Sequence, residues 1–182
     1  VVLLFALGEY LTIKCADLYI SMHPGNIHHL KKFGVQPKHF LHAPNGIFDL
    51  DYYDLLYSRK RDNSGGLFTI GYTGTVNAAN NLGIFIEALS QSAFKDKISL
   101  KIVGDGDCLE IIKEMARDKK INLNSVGRLS KNAALQETVD FDVGILGFHD
   151  IPFYQYGVSA NKIWDYMGLG VPILGVYNSC ND

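Results

Sequence analysis

The chain lacks most of the features that would settle its class at a glance. Its three cysteines, Cys15, Cys108 and Cys180, are far apart and odd in number. They form no CxxC pair and no zinc-type spacing, which argues against a disulfide framework and for a reduced, cytoplasmic setting. Charge is almost balanced, with 17 basic and 19 acidic residues and a formal net charge of −2. That removes nucleic-acid and anionic-membrane binding through bulk electrostatics. The apolar opening "VVLLFAL" stops at Gly8-Glu9. It falls well short of the ~20 residues that span a bilayer, and no charged region precedes it as in a signal peptide. There is no initiator Met, so Val1 reads as the start of a piece of a longer chain. Six histidines are present, none in an HExxH or Cys/His spacing, and no metal site is expected. No internal repeat or low-complexity run occurs.

What is present is an ordinary globular composition, 182 residues with 47% apolar and 20% charged, enough for one or two domains. The clearest break is "YSRKRDNSGG" (57–66), which has almost nothing to bury and reads as a linker. After it, β-rich runs at 67–74, 98–104, 121–127, 142–148 and 171–176 alternate with helical spacing at 80–91, 108–120, 131–139 and 160–168. Apolar strands alternating with helices in this way predict an α/β fold. It is a Rossmann-like parallel sheet with helices on both faces. Ahead of the linker the signal is thinner: a helix running into a strand over 8–22, a helix over 25–34, and a strand over 39–46 ending in Asn-Gly. That is too little for a core of its own.

Ligands of such sheets sit beyond the carboxyl ends of the strands. Three loops there are rich in small residues: "GYTGTVNAANN" (71–81), "GDGD" (104–107) and "HDIPFYQYGVSAN" (149–161). "GDGD" lacks the third glycine of a dinucleotide fingerprint and reads as a tight strand-to-helix turn. Cys108, at the helix start behind it, is expected to have a lowered thiol pKa, but no paired base makes it a nucleophile. The third loop far exceeds the ~2–6 residues of most such connections and leads into "NKIWDYMG" (161–168). Ser159 is the expected N-cap. Lys162 then stands in the first turn, at the positive end of the helix dipole, which is unfavourable by about 0.3–1 kcal/mol. An anion held between the free N–H groups and this lysine would reverse that sign, and phosphate fits. Asp165 lies three residues on, on about the same face, where a carboxylate can accept from a ribose diol. The plainer reading, a surface Lys-Asp pair at i,i+3, stays open on this segment alone.

The runs "IGYTGTV", "LKIVGDGD", "NSVGRLSKNAALQETVDFDVGILGF" and "YQYGVSANKIWDYMGLGVPIL" resemble the donor-binding domain of retaining family 4 glycosyltransferases of the GT-B fold. The bacterial enzymes that build capsule and lipopolysaccharide O-antigen are the nearest in pattern. "GEYLTIKCADLYISM" and "FLHAPNGIF" are similar to the end of that family's first domain. The resemblance implies the tail of an N-terminal, acceptor-side domain at 1–56, a linker at 57–66, and a truncated nucleotide-sugar-binding domain at 67–182.

It further implies that Gly157, Val158 and Ser159 offer backbone N–H groups to the donor phosphates, with the Lys162 ammonium nearby. Asp165 would stand where the family has a ribose-binding Glu, Gly127-Arg128-Leu129 would lie against the nucleobase, and Gly74 would form the turn near the phosphates. The family's Arg after that glycine and Lys five residues later are here Thr75 and Asn80, and the first acid of its paired glutamates is here Gly157. Thr75 is kept among the substrate-binding positions, and Lys162, Arg128 and helix N–H groups would carry more of the charge compensation.

The implied activity is transfer of a hexose from a UDP- or GDP-sugar to a glycan or lipid-linked acceptor with retention, in surface polysaccharide biosynthesis, without a cofactor or metal. The intact parent would be the enzyme, in the cytoplasm or peripherally at the inner face of the plasma membrane, and this piece alone is expected to be inactive. Two other readings stay open: a nucleotide-sugar epimerase of the same fold, and a non-catalytic nucleotide-binding or interaction module.

Overall fold

The computed structural model describes residues 2–47, 52, 54, 55, 57 and 66–178. The expected linker therefore lies almost wholly outside the described residues, as does Cys180. The chain divides into two compact units. Val1–Asn45 and Asp150–Ala160, with Asn178–Asp182, make the first; Gly46–His149 and Asn161–Tyr177 make the second. The division falls at Asn45, ahead of the expected linker, because Tyr52 and Leu55 pack with Leu135, Phe141, Tyr166 and Leu169 of the second unit. Most of the long loop, 150–160, goes with the first unit.

In the first unit, α1 (Val2–Cys15), β1 (Tyr19–Ser21), α2 (Asn26–Lys32) and β2 (Phe40–His42) follow in order. β1 and β2 form a two-stranded parallel sheet. Helix α1 begins well before the residues at which a helix is predicted, since its apolar opening is itself helical. Ile13, Leu30 and Val35 make a small core. The aromatic loop packs on α2 and the turn before it. His23 Nδ1–H donates to the Gly157 carbonyl at 2.9 Å, the Gly25 N–H donates to Tyr156 O at 2.8 Å, and the Tyr156 ring stands edge-on to His29.

The second unit contains β3 (Phe68–Thr73), α3 (Gly83–Ser90), β4 (Ile98–Val103), α4 (Leu109–Asp118), β5 (Leu123–Gly127), α5 (Lys131–Thr138), β6 (Val143–Gly147), α6 (Asn161–Gly168) and β7 (Ile173–Val176). All the strands are parallel, in the order β5-β4-β3-β6-β7. Each predicted strand and helix of this part is present within a few residues, with helices on both faces. Successive strand residues point to opposite faces, which separates two cores. Ile70, Tyr72, Leu100, Ile102 and Ile145 meet Phe85 and Ile86 of α3 and Leu109, Ile112 and Ala116 of α4. The alternate face meets Leu135 of α5, Tyr166 of α6, and Phe141 and Leu169 beside them. In α4 the buried positions recur at i, i+3 and i+7 while Glu110, Lys113 and Arg117 lie outside that buried set, the stripe expected of a helix laid on a sheet.

Gly71 of β3 and Gly144 of β6 are paired in register at the centre of the sheet. A Cβ on Gly71 would strike the Phe141 ring, and one on Gly144 would come within 2.7 Å of the Tyr166 ring. Two side-chain-free positions thus let both aromatic rings lie on the sheet. The Thr73 N–H donates to the Tyr166 hydroxyl at 3.0 Å, fixing that ring and with it α6. Helix α6 ends in a left-handed Gly170, φ 63°, with the Val171 N–H returning to Tyr166 O at 2.8 Å, a Schellman closure.

Replacing Gly71 by Ala is expected to destabilise the protein by ~1–3 kcal/mol through overpacking against Phe141. A lowered urea midpoint at unchanged m-value would show it, and an unchanged midpoint would show that the ring can move aside.

Candidate functional site

The second unit opens into a cleft of about 850 Å³ at the carboxyl ends of its strands. The chain steps outward from β3 through β4 to β5 and then returns to β6 on the other side of β3. The cleft therefore lies at the reversal of strand order, where open α/β sheets bind ligands. Its walls are Thr73–Thr75 at the end of β3, Val103–Gly106 at the end of β4, Arg128 and Leu129 after β5, Lys131 of α5, and Asn161, Lys162 and Asp165 of α6.

The floor is backbone. Gly74 N–H donates to Val103 O and Val76 N–H to Asp105 O, both at 2.9 Å, while Cys108 N–H donates to Val76 O at 3.1 Å. The two strand-end loops are zipped together so closely that a Cβ on Gly104 would run into the Gly74 carbonyl. Gly104 also has φ +150°, a conformation side chains rarely adopt. "GDGD" is thus the tight turn expected of it. Cys108 corrects another expectation. Its thiol pKa is raised, by desolvation and by the carboxylate of Asp107 beside it, which also hydrogen-bonds to it. The helix start does not outweigh them.

Lys162 is the second residue of α6. Its Nζ donates to the Tyr72 hydroxyl at 2.7 Å and to Asn80 Oδ1 at 3.0 Å, and stands 4.1 Å from the centre of the Tyr72 ring. The Tyr72 hydroxyl passes its own proton to Thr75 O at 2.6 Å, and Asn80 Nδ2 donates to the same carbonyl at 3.0 Å. Every partner among the described residues is neutral. Burial pushes the Lys162 ammonium down to about 7 and the phenols of Tyr72 and Tyr166 well up, so both tyrosines remain protonated. Among the described residues the lysine gains dipoles and a ring face but no anion, and a partly desolvated cation without a counter-charge loses its proton more readily.

Asp165, on the same helix, is buried and has partners that the sequence did not indicate. Its Oδ1 accepts from the Tyr52 hydroxyl at 2.6 Å and pairs with Lys131 Nζ at 2.5 Å. The i,i+3 pair with Lys162 considered for this segment is thus replaced by a long-range pair with Lys131. Lys131 is the first residue of α5, behind Ser130, whose side chain accepts from Ala133 N–H and caps the helix. Oδ2 of Asp165 has no partner among the described residues.

Of the positions singled out in the sequence, the cleft brings together Gly74, Thr75, Arg128, Leu129, Lys162 and Asp165. Arg128 is exposed and makes no ion pair among the described residues. Gly157, Val158 and Ser159 fall in the first unit. Ser159 is not the N-cap of α6: the helix begins at Asn161, and Ser159 Oγ is buried without a hydrogen-bond partner among the described residues. Ala160 intervenes, and the Ser159 carbonyl is taken by Asn45 Nδ2 at 3.1 Å. Tyr72, Lys131 and Tyr52 are additions. Tyr72 reads in sequence as strand core, and the other two reach Asp165 across 34 and 113 residues, distances at which no local pattern gives a signal. Among the described residues no group of three or more His, Cys, Asp or Glu could hold a metal ion, and no helix is long and apolar enough to cross a membrane.

No family profile matches the chain, and no curated protein matches it in sequence. Solved structures do match it in fold. Anabaena HepE in complex with UDP and glucose superposes with a TM-score of 0.70 at 17% identity, over 93% of this chain and 47% of that one. The lipopolysaccharide outer core galactosyltransferase WaaB gives 0.64 at 14%, over 88% and 43%. WaaG, a glycosyltransferase involved in lipopolysaccharide biosynthesis, gives 0.63 at 14%, over 88% and 49%. The chain spans less than half the length of each. At these identities the likeness establishes the fold, the Rossmann-like α/β architecture of GT-B glycosyltransferases.

The unpaired lysine has a signature in stability. Its folded-state pKa of about 7 lies below the ordinary 10.5. Between those values the unfolded chain holds a proton that the folded chain lacks, so stability rises with pH across the window and the cost is fully felt below it. Lys162→Met is expected to raise the melting temperature of the ligand-free protein at pH 6–7 and to flatten its rise towards pH 10. Parallel pH profiles of variant and wild type would count against a desolvated Lys162.

Proposed function

We propose that the chain is the donor-binding part, with some of the acceptor side, of a retaining glycosyltransferase that moves a hexose from a nucleoside-diphosphate sugar to a glycan or lipid-linked acceptor in surface polysaccharide biosynthesis. The observation that carries this reading is Lys162, desolvated among neutral acceptors in a cleft at the carboxyl ends of a parallel sheet. An anion is what that arrangement lacks, and a diphosphate supplies one. The fold shared with HepE in complex with UDP and glucose supports the same substrate class.

In this reading the acceptor's hydroxyl oxygen bonds to the sugar's anomeric carbon as the bond from that carbon to the diphosphate oxygen breaks; negative charge grows on the leaving diphosphate, which takes up the hydroxyl proton. Lys162 and backbone N–H groups at the start of α6 and in the Gly74 turn stabilise that charge, preorganised and away from water. Gly157, Val158 and Ser159 contribute N–H groups to the phosphates, Arg128 and Leu129 hold the base, Thr75 borders the diphosphate, and Asp165 takes the ribose hydroxyls. No metal or other cofactor is required. UDP and GDP are both admitted, the setting is the cytoplasm or the inner face of the plasma membrane, and transfer requires the parent protein.

A thermal-shift panel of UDP, GDP, ADP and CMP tests this directly. At a hundred times its dissociation constant a ligand adds ~2.7 kcal/mol of stability. One nucleoside diphosphate should stabilise the wild type and barely affect Lys162→Ala, with the wild-type effect weakening as pH rises above about 7. A folded protein that responds to none of the four would refute the donor site and favour an interaction module.

A further inference from the structure

Asp165 is nine-tenths buried, with 8% of its surface exposed, and the pocket it lines is not the only thing that acts on it. Two donors from distant parts of the chain converge on one of its oxygens: the Tyr52 hydroxyl at 2.6 Å and Lys131 Nζ at 2.5 Å, both on Oδ1. The other oxygen, Oδ2, is left without a partner among the described residues. Two donors on one oxygen fix the plane and rotamer of a carboxylate, which a single contact does not. Lys131 itself sits at the first position of α5, where a cation opposes the helix dipole, and its side chain is 58% exposed while Asp165's is 11% exposed. Lys131 compensates a buried carboxylate, which serves stability; placed with Tyr52 on the same oxygen at the wall of the cleft, it also fixes how that carboxylate is oriented.

We propose that Lys131 and Tyr52 are positioning residues that hold Asp165 with Oδ2 turned to the ligand, and through it determine how strongly the cleft prefers a ribonucleotide to its 2′-deoxy form. This rests on the reading of the cleft as a nucleoside-diphosphate site. A hydroxyl that meets a prefixed, charge-compensated carboxylate gains a charge-assisted hydrogen bond without the cost of ordering it, and a nucleotide lacking that hydroxyl leaves a buried acceptor unpaired. Lys131 touches no ligand in this scheme; its effect passes through Asp165.

Isothermal titration of UDP and GDP, each beside its 2′-deoxy form, tests the scheme with wild type, Lys131→Met, Lys131→Arg and Tyr52→Phe. The wild type should prefer one ribonucleotide by about tenfold or more, the worth of one hydrogen bond to a charged group. Lys131→Met should bring that preference to within about threefold while the affinity for the 2′-deoxy nucleotide changes little, and Lys131→Arg should restore most of it. Tyr52→Phe should lower the preference in the same sense. If Lys131→Met weakens both forms equally and the preference stands, Lys131 acts as simple charge and the positioning role is overturned while the nucleotide reading survives. A wild type that binds the nucleotide without preferring ribose overturns the role assigned to Asp165 and the proposal with it. A wild type that binds neither UDP nor GDP overturns the nucleotide reading as well.

Discussion

The arrangement of the cleft depends on two rings lying on a sheet. Phe141 and Tyr166 can press against the middle of β3 and β6 only because those strands present Gly71 and Gly144 opposite one another. With the Tyr166 ring seated there and its hydroxyl holding the Thr73 N–H, α6 loses its freedom to rotate about its axis. A helix turns by about 100° per residue, so fixing position 166 also fixes the directions of its neighbours. Lys162, one turn earlier, points to the ends of β3, and Asp165, the adjacent residue, points to Lys131 and Tyr52. Positions that carry no side chain thus govern the two charged groups on which the proposed chemistry rests.

Those two groups are treated in opposite ways. Asp165 is buried with a cation and a hydroxyl on one oxygen, so its charge is compensated within the protein. Lys162 is buried with oxygens that are all neutral, and its pKa falls to about 7 in consequence. Burying an ion without a counter-ion is costly, and nothing in the packing of α6 demands it, since an apolar residue would fill the space between Tyr72 and Gly74 at lower cost. In the proposed reading the donor diphosphate offsets that cost. The hydrogen bonds around Lys162 are consistent with that: Tyr72 and Asn80 both pass their protons to Thr75 O, which leaves their acceptor atoms turned to the ammonium and holds it at the mouth of the Gly74 turn.

The order of strands and helices in the second unit was legible because each element carries its own period: alternation in β3 and β4, a repeating apolar stripe in α4, small residues at the turns. Boundaries slipped where the signal was local chemistry rather than period. Ser159 has the composition of an N-cap, but α6 starts two residues later and the serine hydroxyl finds no acceptor among the described residues. Nor does composition show where 46–56 packs. Tyr52 and Leu55 belong to the core beneath α5 and α6, and membership of a core is settled by contacts far away in sequence.

The cleft shows why one kind of functional residue can be read from a sequence and another cannot. Lys162 could be singled out because it contradicts its own surroundings: a cation in the first turn of a helix is a local conflict, visible within four residues, and such conflicts mark places where a sequence serves something besides folding. Lys131 contradicts its helix in the same way, behind the Ser130 cap, but its loop has ordinary length and no aromatic cluster to mark it. Tyr72 contradicts nothing, since an aromatic in an apolar strand is what a sheet core requires, and only its hydroxyl, three residues from the carbonyl it serves, takes part in the site. A helix-start lysine in any βα loop of such a sheet presents the same local conflict, whatever the length of the loop. The residues that hold the lysine, Tyr72 of β3 and Asn80 of the loop behind it, lie 90 and 82 residues away in the chain, and only the fold brings them to it.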